Sequence, residues 1–396
     1  MKEHRPEVAD VFRQHEQEFL ERWRSVLSDR QLQTLRDIGA CRTAALGAHL
    51  YQCDGCQRET IVPNSCLNRH CPKCGSVARD QWLEKHAEEL LPVAYSHLVF
   101  TLPHELIPLT RQNPTVVYNI FFRAVSQALL AIAADPRYLG ARLGFLAVLH
   151  TWNQKLLAHP HIHCLAPAGG IALDQTRWIR CRNPKFFLPV KVLGAKFRGK
   201  FLALLRRAFR RHKLELRGKL APLQERKAFD QFTWSLKNKD WVVYAKKPFA
   251  APQHVIRYLA HYTHRVAIAN GRLLRLENGQ VTFRWRDSAH RNQKKIMTLD
   301  ALEFMRRFLL HVLPRGFIKI RHFGFLANRE KKRALALCSA LLPSTLSASE
   351  IPHAEISSPS RPVRLCPHCP GTLVLIARLS ASQLLARHLT PAMDTS

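Results

Sequence analysis

The chain is poor in acidic residues. Its 396 residues include 29 Asp and Glu against 61 Lys and Arg, so its formal net charge is +32 at neutral pH. A surface with so few anions attracts polyanions, and for a soluble protein the usual polyanion is nucleic acid. Ribosomal, histone-like and membrane-surface proteins have similar compositions, so the charge indicates a class of partner and no activity.

Long apolar stretches and a nucleotide-binding loop are also missing. No run of eighteen or more apolar residues occurs, and the opening MKEHRPE is too polar for a secretory signal. We therefore expect a soluble, cytoplasmic protein with no membrane partner. The motif G-x-x-x-x-G-K-[ST] is absent too, which excludes a P-loop.

Cysteine is not scarce, and its eleven copies need an explanation. A chain of this length can build more than one domain and a substantial core, so it does not need disulfides to fold. In a reducing compartment, metal ligands or core residues explain cysteines better than disulfides do.

The densest motif contains two C-x-x-C knuckles separated by fourteen residues. This spacing is typical of zinc ribbons, in which both knuckles direct their thiolates at one tetrahedral ion. The predicted ligands of this structural Zn²⁺ are Cys53, Cys56, Cys71 and Cys74. Cys66 and His70 could replace one ligand or help to bind a second ion, and core cysteines are the alternative. Cys366-Pro-His-Cys369 adds half of a further knuckle without an evident partner.

Basic residues near these motifs suit contacts with phosphate. Arg69 and Lys73 lie within the zinc motif, although solvated surface charge is the alternative. Residues 191 to 219 hold eleven Lys or Arg and one acid, with apolar residues at helical spacing. The spacing predicts a basic amphipathic helix whose apolar face belongs to the core and whose positive face could follow a phosphate backbone.

His161-Ile162-His163 can offer a cation two imidazoles. Alternate side chains of a strand share a face, so both histidines would project together while Ile162 points into the core. A turn near residues 155 and 156 would pair this strand with residues 143–152 and set His150 opposite His161.

The third ligand is open at this point. Gln154 or His97 could take the place of His150, and a core histidine bonded to a backbone carbonyl is the alternative.

A second candidate for chemistry is the segment Tyr258-Leu-Ala-His-Tyr262. If it is helical, the two tyrosines lie one turn apart, with Arg257 and Arg265 nearby. A tyrosine has a reference pKa near 10, so a nucleophilic role needs cations or a metal to stabilise the phenolate. Core packing is the alternative for such a pair.

The order of elements predicts an α+β protein. Residues 1–90 should form a helical and zinc-binding domain, and 91–335 a domain with an antiparallel sheet flanked by helices. Residues 336–396, rich in Ser, Pro and Ala, should form a flexible tail with the half zinc knuckle.

Several of these runs follow one another in a recognisable order: NSCLNRHCPKC from residue 64, VFTLPHEL from 99, LHTW from 149, HPHIHC from 159 and YLAHYTHR from 258. Together they closely resemble the rolling-circle transposases of the insertion-sequence 91 family, over roughly residues 15 to 335. The C-terminal end departs from the family pattern, since only half of the expected cysteine-rich end is present.

The resemblance implies a bacterial, nucleoid-associated enzyme with a zinc-binding domain joined to a nuclease domain of the His-hydrophobe-His (HUH) class. His161 and His163 would bind Mg²⁺ or Mn²⁺, and Tyr258 and Tyr262 would be the nucleophiles. The expected reaction cleaves single-stranded transposon ends through a 5′-phosphotyrosine and rejoins them to target DNA. The alternatives are a plasmid replication initiator or relaxase, and a non-enzymatic zinc-ribbon regulator. The oligomeric state stays open.

Overall fold

The structure is a computed structural model that describes residues 5–75, 82, 89–181, 187–245, 266–287, 290, 292–342 and 364–386. The chain divides into two compact units. The first unit comprises Met1–Val77, Ile268–Leu309 and Ser347–Ser396, and the second comprises Ala78–Ala267 and Leu310–Leu346. Residues 268–309 therefore belong with the N-terminal segment, whereas the sequence predicted them within the nuclease domain.

The described residues form α-helices and β-strands that we number in chain order. The helices are α1 (Val8–Trp23), α2 (Asp29–Ala40), α3 (Ile107–Gln112), α4 (Pro114–Ala134), α5 (Val190–Arg210), α6 (Arg226–Lys237), α7 (Ala301–Leu309), α8 (Lys331–Leu341) and α9 (Ala381–Ala386). The strands are β1 (Ala48–Cys53), β2 (Glu59–Pro63), β3 (Tyr95–Thr101), β4 (Ala141–Arg142), β5 (Gly144–Trp152), β6 (Ala158–Pro167), β7 (Gly169–Ala172), β8 (Trp178–Arg180), β9 (Val243–Ala245), β10 (Leu273–Glu277), β11 (Gln280–Asp287), β12 (Gln293–Asp300), β13 (Ile320–Gly324) and β14 (Leu373–Leu379). All strand pairs in these sheets are antiparallel, so the α+β prediction is confirmed.

The first unit packs helices α1, α2 and α7 with two three-stranded sheets, β14-β1-β2 and β10-β11-β12. A capping box starts α2, because the Ser28 hydroxyl accepts a bond from the N–H of Gln31 while the Gln31 side chain accepts one from the N–H of Ser28. Phe12 of α1 and Phe308 of α7 meet edge to face, with ring centroids 5.3 Å apart. The Asn278-Gly279 turn between β10 and β11 has positive φ at both residues, as its sequence predicts.

The second unit is built on a five-stranded sheet with the order β13-β5-β6-β3-β9. One face of this sheet is covered by α4 and α5, whose aromatic side chains Phe121, Phe197 and Phe201 are fully buried. Phe121 and Phe197 stack with ring centroids 5.5 Å apart. The opposite face is therefore left for other groups, and the histidines lie there.

Helix α4 is long and apolar enough to cross a membrane by length and composition alone. Of its most apolar window, 67% is buried inside the protein. Proline at its first position fits a helix start, where the missing N–H costs no hydrogen bond. Its burial against the sheet is that of a core helix.

The C-terminal part of the chain is folded where the structure describes it. Helix α8 covers part of the predicted tail, and β14 pairs with β1 of the first unit. The flexible tail predicted from residue 336 therefore does not describe residues 336–342 or 364–386. The Ser- and Pro-rich composition that suggested it is concentrated between those two segments.

Candidate functional site

Three histidines converge near the turn of the β5–β6 hairpin. One ring nitrogen of each of His150, His161 and His163 lies within 4.8 Å of the other two. His150 pairs directly with His161 across the hairpin, as the sequence predicted. Ile162, between His161 and His163, and Leu149, next to His150, are 0% and 1% exposed on the opposite, helix-covered face. Strand alternation thus produces the cluster.

The hairpin turn fixes this register. The side-chain oxygen of Asn153 accepts bonds from the N–H groups of Lys155 and Leu157, at 2.9 and 3.0 Å. Leu156 has φ of 61° and donates its own N–H to the Asn153 carbonyl at 3.1 Å. Because a slip of one residue would turn every histidine to the other face, this turn decides whether the cluster exists.

The imidazoles of His163 and His161 are each oriented by a hydrogen bond at Nδ1. Nδ1 of His163 lies 2.9 Å from Nε2 of His97 on β3, and their rings stack with centroids 5.1 Å apart. Nδ1 of His161 lies 2.6 Å from the carbonyl oxygen of His159. In both rings Nε2 is then the atom that would coordinate a metal, which is the usual arrangement of a metal-binding histidine and its supporting partner.

The third imidazole rests on an aromatic support. His150 is 2% exposed and stacks on Trp152, with ring centroids 4.9 Å apart. Beneath this pair, Nδ1 of His311 lies 3.2 Å from Oγ1 of Thr151, and its Nε2 lies 3.0 Å from the carbonyl oxygen of Leu156. Burial lowers the pKa of His311 to about 4, so this ring is neutral at physiological pH.

The donor set fits a divalent ion. Among the described residues, no carboxylate or thiol joins the group of three imidazoles. Three neutral ligands on one side would leave coordination positions for phosphate oxygens and water, and would keep the full positive charge of the ion. Imidazole favours Mn²⁺ over Mg²⁺ in affinity, while phosphate oxygens suit both.

In the first unit, four thiols form a cluster that we call cluster A: Cys41, Cys66, Cys71 and Cys74. Its Sγ atoms lie 3.6 to 3.7 Å apart in the closest pairs. Four sulfurs about 2.3 Å from one tetrahedral zinc ion would be separated by about 3.8 Å. Cluster A therefore has the geometry of a structural zinc site.

Cluster A is held in place by a buried asparagine. Asn68 is 4% exposed and donates from its side-chain nitrogen to Asp37 on α2, at 2.8 Å. Its side-chain oxygen accepts the N–H of His70 at 2.9 Å, and its carbonyl accepts the N–H of Cys71, also at 2.9 Å. The loop that carries Cys66 and Cys71 is thus fastened to the helix that precedes Cys41.

The structure does not bring the four predicted zinc ligands together. Cys53 and Cys56 lie with Cys366 and Cys369 in a second cluster, cluster B, while Cys71 and Cys74 lie in cluster A. The prediction of one four-cysteine site from residues 53 to 74 is corrected to two clusters. The physical reason is that the first knuckle lies in the turn between β1 and β2, and β2 then carries the chain away before the second knuckle begins, so each knuckle meets a different partner.

Neighbouring groups lower the pKa of at least one thiol in each cluster, whereas adjacent thiols raise the pKa of Cys66, Cys71 and Cys369. Hydrogen bonds from Cys66 and Cys71 lower the pKa of Cys41 to about 7. The backbone N–H of Cys56, foremost, lowers the pKa of Cys53 to about 7. A thiol with such a pKa is substantially ionised at neutral pH, and the thiolate is the form that binds zinc.

The predicted DNA contacts are only partly within the described residues. Nζ of Lys73 pairs with Glu7 at 2.8 Å. Arg69 is half-buried, and burial together with Arg30 lowers its pKa. Arg257 and Arg265, like Tyr258 and Tyr262, lie outside the described residues. A larger positive surface is α5, where Lys191, Lys196, Lys200, Arg207 and Arg210 are exposed.

Sequence reasoning assigned no role to Cys41 and weighed His97 only as a substitute ligand. Cys41 is a lone cysteine directly after α2, with no knuckle spacing to mark it. The number of cysteines could have pointed to it, since the six cysteines up to residue 74 are too many for one four-ligand site. His97 could have been found from the strand pairing, which sets Val99 opposite His163 and leaves His97 on the same face.

Comparisons with known proteins match two separate ranges of the chain, one with most of the clustered thiols and one with the three histidines. A family model described as "Transposase zinc-binding domain", of the insertion-sequence 91 type, matches residues 11–102. A second model, described as "Putative transposase", matches residues 144–334. The first range contains cluster A and half of cluster B, and the second contains the three histidines.

Two relatives match most of the chain. "Putative transposase y4qJ" from Sinorhizobium fredii is 48% identical over 375 residues, which cover 92% of this chain and 93% of the relative. "Transposase for insertion sequence element IS801" from Pseudomonas savastanoi pv. phaseolicola is 30% identical over 328 residues, which cover 81% of this chain and 75% of the relative. No solved structure matches. The chain is a transposase and belongs to the insertion-sequence 91 family.

Proposed function

We propose that this transposase acts by a rolling-circle route, in which a tyrosine cleaves one strand at a transposon end with the help of a divalent ion held by His150, His161 and His163. The proposal includes an HUH-type fold for the second unit and a 5′-phosphotyrosine intermediate. The observation that supports it best is the convergence of three imidazole nitrogens within 4.8 Å on one sheet face.

The reaction that we propose conserves the number of phosphoester bonds. The Oη atom of Tyr258 or Tyr262 attacks the scissile phosphorus and loses its proton, the P–O3′ bond breaks, and the leaving 3′ oxygen takes up a proton. A divalent ion in the histidine cluster would polarise the phosphate and neutralise the charge that develops in the transition state. Because the tyrosyl ester keeps the energy of the phosphodiester, a free 3′-OH can reverse the reaction on another strand without ATP.

The protein's own residues hold this centre rigid. His97 orients His163, the His159 carbonyl orients His161, and Trp152 supports the ring of His150. Rigid placement matters because in-line attack requires the nucleophile and the phosphate within a few tenths of an ångström of the productive geometry. We place His97 as a positioning residue, since it acts on the metal only through His163.

DNA is the partner, and we propose that the single-stranded ends of the element and its target are the forms bound. The net charge of +32 and the exposed cations of α5 suit a phosphate backbone. The apolar face of α5, with Phe197 and Phe201 fully buried, is core and offers no platform for base stacking. The same charge supports a cytoplasmic protein associated with the nucleoid.

The test uses Tyr258→Phe, Tyr262→Phe and the double variant. Labelled single-stranded oligonucleotides that tile the DNA on both sides of the gene are incubated with each protein and Mn²⁺, and covalent adducts are separated on a denaturing gel. We expect an adduct with the unmodified chain and none with the double variant. The single variants show whether one tyrosine or both are used.

The matched control is Tyr138→Phe, which removes a hydroxyl from a tyrosine outside this segment and should leave the adduct unchanged. His161→Ala combined with His163→Ala should abolish the adduct while the zinc content stays the same. A double tyrosine variant that still forms the adduct would contradict the proposal. Tight binding to uncut duplex DNA, with no cleavage at any metal concentration, would instead favour a regulator.

A plasmid replication initiator or relaxase would perform the same cleavage on a different target. Membership of a transposase family favours a transposon end. Cleavage confined to oligonucleotides from the edges of the element supports that assignment, whereas cleavage at a plasmid origin would overturn it.

A further inference from the structure

Cluster B joins one knuckle from the N-terminal part of the chain to one from the C-terminal part. Cys53 is the last residue of β1 and Cys56 follows it, whereas Cys366 and Cys369 precede β14, more than 300 positions later. Sγ of Cys53 lies 3.4 Å from Sγ of Cys369, and Sγ of Cys56 lies 3.7 Å from Sγ of Cys366. All four sulfurs lie within 4.8 Å of one another.

We propose that cluster B binds a second structural zinc ion, which fastens the C-terminal segment 364–386 to the N-terminal zinc module. The matched zinc-binding domain ends at residue 102, so half of the ligands of this site come from outside it. The segment would then be a part of the N-terminal module that is supplied by the end of the chain.

Both knuckles have the backbone geometry that zinc-bound cysteines adopt. The N–H of Cys56 points at Sγ of Cys53, the N–H of His368 at Sγ of Cys366, and the N–H of Gly371 at Sγ of Cys369, each at 3.4 Å. Such N–H groups stabilise thiolate charge on sulfur and turn the chain tightly enough for both sulfurs to reach one ion. The two knuckles present equivalent halves of a tetrahedral site.

The knuckles also fit against each other directly. The Asp54 carboxylate accepts the N–H of Thr372 at 2.7 Å and is also bonded by the Thr372 hydroxyl, while the Asp54 N–H donates to the Thr372 carbonyl at 3.0 Å. A Cβ atom on Gly371 would meet Sγ of Cys53 at 2.8 Å and the nitrogen of Gly55 at 3.0 Å. This position therefore requires glycine, because any side chain would push the knuckles apart.

The contact between the two segments needs more than apolar packing. Strand β14 pairs with β1 from Ala48↔Leu379 to Cys53↔Leu373, so the ladder ends at cluster B. Among the described residues, the buried cluster around this ladder consists of Ala48, Leu50, Leu379 and Leu384, with Ala44, Ile61 and Ala377 partly buried against it. Val374 and Ile376 of β14 are 53% and 46% exposed. A core this small rarely holds a short segment in place, and small modules of this kind depend on metals or disulfides.

A disulfide is a poorer explanation of these distances. A disulfide bond is about 2.05 Å long, and each of the four thiols is free. Sulfur separations of 3.4 to 3.7 Å come close to the value of about 3.8 Å for four thiolates around one zinc ion.

The first experiment counts zinc in the full-length protein by atomic emission. We expect two zinc ions for each chain, and one in the Cys366→Ser/Cys369→Ser double variant. Cys181→Ser removes a half-buried thiol outside both clusters and should keep two ions. One zinc ion in the unmodified chain, an unchanged count in the double variant, or iron in place of zinc would each overturn the proposal.

The second experiment stays decisive if the double variant folds poorly. A specific protease site is inserted after residue 355, and the purified protein is cleaved without being unfolded. We expect the C-terminal fragment to stay bound through size-exclusion chromatography and to be released by a strong zinc chelator together with one zinc ion. A fragment that leaves before chelation, or that stays bound after both zinc ions are removed, would contradict a metal fastening. Release only by a reductant would show a disulfide instead.

Discussion

Clusters A and B each consist of four cysteine thiols, but they are assembled over very different lengths of chain. The ligands of cluster A lie within 33 positions: Cys41 directly follows α2, and the other three lie after β2 on a segment that Asn68 fastens to α2. The ligands of cluster B are up to 316 positions apart, and the strand pair β1–β14 brings them together. Cluster A can thus form as soon as its loop does, whereas cluster B requires the finished chain. The difference teaches that identical chemistry can be local in one part of a protein and wholly tertiary in another.

The largest effect should come from breaking cluster A. Cys71→Ser removes a buried ligand whose Sγ lies 3.6 Å from that of Cys41. Binding of zinc to small structural sites is worth on the order of 10 kcal/mol, and it is coupled to folding. We expect loss of one zinc ion and loss of hydrogen-exchange protection throughout residues 5–75.

Cys366→Ser is the matched change in cluster B and should be milder. It should remove the other zinc ion and expose β14, while α1 and α2 keep their protection. Cys338→Ala, at a buried cysteine outside both clusters, is the control and should keep both ions. Equal damage to α1 and α2 from both cysteine variants would show that the two clusters are not independent.

The next effect concerns the second unit. Its described residues form no cysteine cluster, so it serves as a reference region without a zinc site. The pKa of His311 is lowered by burial from 6.5 to about 4, so between these values the unfolded chain binds more protons than the folded one. The free energy of unfolding should fall by up to about 3 kcal/mol as the pH falls through this window. Above pH 6.5 the protein should keep this whole contribution to its stability.

Hydrogen exchange in β5 and β6 measures this loss without interference from the zinc sites. In the His311→Gln variant the slope between pH 6.5 and 4 should be smaller, because glutamine does not titrate. An identical slope in both proteins would mean that other groups cause the acid sensitivity.

A smaller effect should follow from loosening the histidine cluster without touching its ligands. Removing a group that orients a metal-binding histidine typically weakens metal affinity 10- to 100-fold. We expect His97→Ala to weaken Mn²⁺ binding by this amount, measured by calorimetry on the zinc-loaded protein. His97→Gln can still form a hydrogen bond to His163 and should recover part of the loss. If both variants bind Mn²⁺ as the unmodified chain does, His97 has no positioning role.

The smallest effect should come from crowding cluster B. Gly371→Ala places a Cβ atom 2.8 Å from Sγ of Cys53, and overpacking of this kind costs at least about 1 kcal/mol. We expect roughly tenfold faster release of one zinc ion to a chromogenic chelator, with the other ion unaffected. Gly199→Ala, where a Cβ would meet nothing within 4 Å, is the control and should not change either rate. Acceleration of both ions would contradict the assignment of Gly371 to cluster B alone.

Local patterns in the sequence were sufficient for several elements of the second unit. The basic amphipathic helix predicted within residues 191–219 is α5, which ends at Arg210, and the strand predicted over 143–152 is β5 to within one residue. The spacing of apolar residues predicts these elements because each element must bury one face. The positions of the apolar residues along the chain show which face that is. The hairpin β5–β6 belongs to the same class, since a short turn fixes its register and with it the pairing of His150 and His161.

The partners of the zinc knuckles could not be predicted in this way. A C-x-x-C motif provides two ligands and does not indicate which residues provide the other two. The sequence therefore predicted that the two neighbouring knuckles share one ion. The strand β14 lay in a segment whose neighbouring residues 343–363 are rich in Ser and Pro, and composition gave no reason to pair it with β1. A lone cysteine such as Cys41 has no spacing signal at all.

By itself the sequence determined the chemistry of this protein: the strongly positive charge, the thiols for zinc, and two histidines on one face of a strand with a third across a tight turn. These features depend on residue type and on separations of a few residues, which helix and strand geometry convert directly into position. Only the tertiary structure decided which thiols share an ion, that His97 supports His163, and that the end of the chain completes the N-terminal module. Those contacts join residues tens to hundreds of positions apart, and they are selected by the packing of the whole chain, which no local pattern encodes.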